Sequence, residues 1–131
     1  MNINPYETLK FIFEAKGAFT QTAYQGTFEI KPVLNLMEII GLNNYKRNLL
    51  NHPMNNETID EESSGIAYLL AKFKSYIIKG PSWFYDSENL KNCYDFNIPI
   101  LLNEKIEEEI KKWMDKITEE AEKAKKVLIN G

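Results

Sequence analysis

The chain reads as an α+β protein, mainly α. An N-terminal β-hairpin is followed by short helices, an apolar central helix and a long charged C-terminal helix. Three observations predict this. Hydrophobicity alternates with period two over Thr8–Glu14 and Thr22–Lys31. Apolar residues recur at three- and four-residue steps from Ile66 to Ile77. From Ile106 to Leu128 a thin apolar line, flanked by charge, repeats at steps of four and three.

The first strand places Leu9, Phe11 and Phe13 on one face and Lys10, Ile12 and Glu14 on the other. The second places Tyr24, Phe28 and Ile30 opposite Thr27, Glu29 and Lys31. Lys16-Gly17-Ala18-Phe19 supplies the turn signal between them. A two-stranded hairpin is marginal alone, so its apolar face needs a cover, and its edges are open to further strands. Residues 1–7 read as a loose arm.

Pro32 stands at a helix start, with Val33, Leu36, Met37 and Ile40 forming a short stripe that ends at Gly41. A second short helix is expected over Asn43–Leu50, then a polar loop over Asn51–Glu57 containing His52-Pro53. Thr58 with Glu61 has the spacing of a capping box for the central helix. Its stripe is Ile66, Leu69, Leu70, Phe73, Tyr76 and Ile77, with Lys72 mostly off it, and Lys79-Gly80-Pro81 is the expected stop. Trp83, Phe84 and Tyr85 follow, and Ser87 is placed to cap a brief helix carrying Leu90, Cys93 and Tyr94. Asn97-Ile98-Pro99-Ile100 reads as an interruption. The last helix, over residues 101–129, carries Ile106, Ile110, Trp113, Ile117, Ala121, Ala124 and Leu128. Acid-before-base pairs one turn apart, such as Glu108 with Lys112, support it by about 0.2–0.5 kcal/mol each. Its alanine-rich last third buries less and is free to project.

A length of 131 residues suits one domain spanning the chain. Composition is 44% hydrophobic and 12% aromatic, as in globular proteins. A formal charge of -3 disfavours nucleic acid as a partner. No apolar run approaches the ~20 residues of a membrane span, and no leader pattern is read at the N-terminus, so a cytoplasmic protein is expected. One cysteine, Cys93, leaves no intramolecular disulfide and no cysteine-based zinc site. The one histidine, His52, precedes a proline in a polar loop, far in sequence from Cys93. No phosphate loop, dinucleotide fingerprint or converging acid–base cluster is present. No catalytic residue, metal site or cofactor is therefore expected.

The order of Gly26-Thr27-Phe28-Glu29-Ile30-Lys31-Pro32, short helices, the apolar run Ile66–Ile78, then Lys79-Gly80-Pro81-Ser82-Trp83-Phe84 and a charged helical tail resembles small bacteriophage virion-assembly proteins, in particular tail assembly chaperones. The likeness covers about residues 22–128 and consists mostly of hydrophobic spacing, and the tail helix is longer and more charged than the pattern. What the resemblance implies is a non-enzymatic binder, acting in the host cytoplasm. It would self-associate and coat an apolar helical partner, the tape measure protein, until tube protein replaces it. A different small phage structural or scaffolding protein, or an inhibitor of a host enzyme, is the alternative. The residues expected at the interface are Phe11, Phe13, Tyr24 and Phe28 on the hairpin, Trp83 and Phe84 in the aromatic cluster, and Ile106, Ile110, Trp113 and Ile117 on the last helix. For Trp83, Phe84 and Tyr85 core is the default reading and an interface anchor the alternative, and Trp113 carries the same ambiguity.

Overall fold

A computed structural model describes residue 4, residues 6–51 and residues 60–130, the last four of these by their backbone only. The expected cap at Thr58, the body of the 51–57 loop with His52, and the start of the N-terminal arm lie outside the described residues. The arm's last residue is tied down: Glu7 accepts a hydrogen bond from the Trp113 indole at 2.9 Å.

The fold is α+β. Strands β1 (Leu9–Lys16) and β2 (Ala23–Ile30) pair antiparallel from Leu9↔Ile30 to Lys16↔Ala23. A third strand, β3 (Ile77–Lys79), pairs antiparallel with the end of β2 and gives the order β1-β2-β3. This corrects the two-stranded hairpin with both edges open. One border of β2 is occupied near Glu29 and Ile30, and β1 forms an outer border. The alternation turns Phe11, Phe13, Phe28 and Ile30 inward, where all are buried, and leaves Lys10, Ile12 and Glu14 exposed.

Helix α1 runs unbroken over Leu36–Leu50, through Gly41, where two short helices were expected. Asn35 and Glu38 form a complete capping box at its start. Glycine costs about 0.5–1 kcal/mol inside a helix, which packing outweighs. Here Leu42 is buried with Leu34 and Ala71, backed by Tyr45 and Tyr76. The expected stripe is not the buried one: Leu36 and Met37 are 80% and 72% exposed.

Helix α2 spans Glu61–Tyr76, and the Asp60 side chain caps it by accepting from the Ser63 amide. Its buried residues are Ala67, Ala71, Lys72 and Phe73. The two alanines admit neighbouring helices at close range, so the buried face is rotated from the expected stripe and Ile66 is left half out. Lys72, read as lying off the stripe, is buried along its stem. Its ammonium donates to Glu107 at 2.9 Å, joining α2 to the last helix. Because Glu107 is largely solvated, this pair adds little to stability. Lys72→Met keeps the buried stem and is expected to change the unfolding free energy by no more than about 1 kcal/mol in urea titration. A loss well beyond that would show that the pair, not the stem, matters.

Beyond β3, Gly80 and Pro81 cross the inner face of the sheet. Pro81 lies so close over Gly26 that a β-carbon there would collide with its ring. Helix α3 is the short turn Ser82–Asp86, and its Trp83 indole donates to the Gln25 carbonyl at 3.0 Å. The brief helix expected after Ser87 is absent. Glu88, Asn89 and Leu90 instead take positive φ angles of 54°, 59° and 70°, while the Ser87 hydroxyl accepts the Leu90 amide. This left-handed turn is unfavourable for side chains carrying a β-carbon. It is held in place by Leu90, which is buried among the core aromatics and isoleucines.

Helix α4 begins at Asn97, not Leu101, and runs to Asn130. Pro99 does not interrupt it, because first-turn amides have no partner inside the helix and proline loses nothing there. Ile98, Leu102 and Ile106 are fully buried against Phe11, Phe13, Phe28, Ile30, Phe73 and Phe84.

Candidate functional site

Two features stand apart from the core: a buried carboxylate at the start of α4 and an apolar groove beside it. Asp95 is fully buried. Its carboxylate accepts the amides of Phe19 (2.8 Å) and Thr20 (2.7 Å), the Thr20 hydroxyl (2.5 Å) and the Tyr24 hydroxyl (2.7 Å). Asn97 adds two further bonds, its Oδ1 accepting from the Ala18 amide and its Nδ2 donating to the Lys16 carbonyl, which tie the same β1–β2 loop to α4. A β-carbon on Gly17 would run into the Asp95 carboxylate, so glycine is what lets the loop close over the charge.

Burial alone would raise the Asp95 carboxyl. The hydrogen bonds from Thr20, Tyr24 and Phe19 outweigh it and hold the group down at about 2. Tyr24 is pushed well above the ordinary phenol range, first by burial and then by its bonds to Asp95 and Cys93. The Cys93 thiol donates to the Asp95 carbonyl at 3.4 Å. The carboxylate accepts four hydrogen bonds from Phe19, Thr20 and Tyr24, so the cluster fastens the β1–β2 loop. Among the described residues no group of three His, Cys, Asp or Glu could hold a metal ion.

The groove lies between α2 and the 90–100 segment. Ile66, Leu69 and Leu70 form one wall, and Leu90, Cys93, Phe96, Pro99 and Ile100 the other, with Glu62 and Lys91 at its margin. Its volume is about 290 Å³, room for a few side chains. Phe96 is 75% exposed and Ile66 and Ile100 about half exposed, so the walls continue outward as an apolar rim.

The expected interface residues fall elsewhere. Phe11, Phe13, Phe28, Phe84, Ile106 and Trp113 are buried within their own chain, and Tyr24, Trp83, Ile110 and Ile117 are half-buried. Phe11, Phe13, Phe28 and Ile106 lie in the core of their own chain, where a sealed side chain reaches a partner only if the fold opens, and Phe84 and Trp113 take their core reading. The helical line Ile106–Trp113 looked unpartnered because its partners are strands some ninety residues earlier in the chain, out of reach of any periodicity argument. Tyr24 and Phe28 instead pack edge-to-face on Trp83, with ring centroids 5.1 and 5.6 Å from it. Sequence reasoning missed Asp95, whose donors lie 71–76 residues away in the chain. Phe96 and Ile100 were missed as well, although an exposed phenylalanine next to a helix start was the available signal. No helix among the described residues is long and apolar enough to cross a membrane. Comparison with protein-family models, curated proteins and solved structures returned no match.

Proposed function

We propose that this chain is a non-enzymatic holding protein that binds an apolar helical segment of another protein. This is the role that a tail assembly chaperone plays toward a tape measure protein, in the cytoplasm of the host. The observation that carries the reading is the solvent-open groove walled by Ile66, Leu69, Leu70, Phe96, Pro99 and Ile100. A concave apolar channel beside a helix accepts side chains spaced one turn apart on a second helix. Its floor is preformed, because the left-handed turn at Glu88–Leu90 and the Asp95 anchor hold the far wall in place. Preorganisation lowers the ordering cost of binding.

The test is fluorescence anisotropy with a labelled amphipathic leucine-rich helical peptide and a scrambled control of the same composition. Saturable binding of the helical peptide alone is expected. The double variant Ile66→Asp/Ile100→Asp, altering half-exposed positions, should keep the native circular dichroism and weaken binding about tenfold or more, the equivalent of about 1.4 kcal/mol. Equal binding by the variant, or none by the native chain, would refute the reading.

A further inference from the structure

The outer border of β1 is self-complementary. The Gly17 amide donates to the Thr22 carbonyl at 2.8 Å. Backbone direction alternates along an antiparallel strand, so odd-numbered β1 residues bond toward β2 and even-numbered ones point away. The Lys16 carbonyl, reached from outside by the Asn97 side chain, fits that alternation. Lys10, Ile12 and Glu14 therefore direct their amides and carbonyls to the outer border, where no strand pairs among the described residues. Their side chains stand in a row on the exposed face, basic, apolar, acidic. Ile12, at the centre, is 69% exposed. Neither Lys10 nor Glu14 forms an ion pair among the described residues.

We propose that a second copy of this chain pairs antiparallel with β1 along this border, on a two-fold axis through Ile12. In that register Lys10 faces the partner's Glu14, Glu14 faces the partner's Lys10, and the two Ile12 side chains meet on the axis. The outward groups of the three residues supply about six backbone hydrogen bonds across the pair. Inward, Phe11 comes opposite the partner's Phe13, which continues the apolar face across the joined sheet. Charge selects the register. A slip by two residues sets an ion against Ile12, and a slip by one sets outward groups against groups already bonded to β2. Charged side chains on a border usually discourage foreign strands. The inversion of sign about Ile12 makes this strand a match for itself. Nothing in this pairing depends on the groove, which lies on the α2 side.

The experiment is size-exclusion chromatography with light scattering on four chains: native, Lys10→Glu, Glu14→Lys, and the double exchange. All altered positions are exposed, so circular dichroism should stay native. The native chain is expected to dimerise, each single exchange to weaken the dimer at least about tenfold, and the double exchange to recover it. In a Cys93→Ser background, Ile12→Cys should yield a disulfide-linked dimer under mild oxidation, because the paired Cα atoms lie about 5.5 Å apart. Thr27→Cys, on the same face one strand inward, should not. A native chain that stays monomeric at millimolar concentration, or a double exchange as weak as the singles, overturns the proposal.

Discussion

Phe28→Ala is expected to cost about 3–5 kcal/mol of folding free energy. The side chain is fully buried on the central strand β2. Its ring stacks on Phe11 at 5.7 Å and meets Phe13, Trp83 and Phe84 edge-on at 6.1, 5.6 and 5.6 Å. Four aromatic neighbours from β1 and α3 cannot all collapse into the space left behind, because Trp83 is held to Gln25 and Pro81 rests on Gly26. The cavity term is therefore retained rather than relaxed away. Domains of this size have total stabilities of about 5–15 kcal/mol, so the variant would stand close to unfolding at room temperature. Urea titration measures the loss. Phe19→Ala, at a position 78% exposed, is the control and should change stability by less than about 0.5 kcal/mol. A loss below about 1 kcal/mol for Phe28→Ala would contradict the packing described.

Asp95→Ala is expected to lower the melting temperature by about 10 °C or more and to release the β1–β2 loop. The substitution removes the buried acceptor shared by two amides and two hydroxyls of the β1–β2 loop and β2. Hydrogen exchange at the Phe19 and Thr20 amides should accelerate far more than exchange at the amides of β2. The carboxylate also predicts an acid limb. Its folded value, about 2, lies below the ordinary aspartate value of about 3.9. A group depressed on folding contributes stability that is fully present above the unfolded value and lost as pH falls through the folded one. Melting temperature should therefore decline between about pH 4 and pH 2, and Asp95→Asn should remove that part of the decline. An unchanged acid limb in Asp95→Asn would show that Asp95 is not the group responsible.

Local patterning determined the strands and the long helix well. Alternation at Leu9–Glu14 and Tyr24–Ile30 depends only on side chains facing opposite sides of a strand, and the inward and outward sets match residue for residue. The α4 line was equally readable, because a helix repeats its face every three to four residues whatever it packs against. Where one residue decides an ending, the reading slipped. Gly41 looked like a stop, yet Leu42 and Tyr45 pack on α2 and carry α1 through it. Ile77–Lys79 looked like the end of α2, yet the vacant border of β2 recruits it as β3.

What covers what was a different kind of question. Composition and periodicity determined that this chain is α+β and that its last helix carries one apolar line. Tertiary structure alone decided that Ile106 and Trp113 face inward, that Phe96 and Ile100 edge a groove, and that Asp95 fastens a loop more than seventy residues distant. The reason is physical. Period and propensity act over a few residues, while burial and hydrogen-bond satisfaction are settled between segments that meet only once the chain has closed on itself.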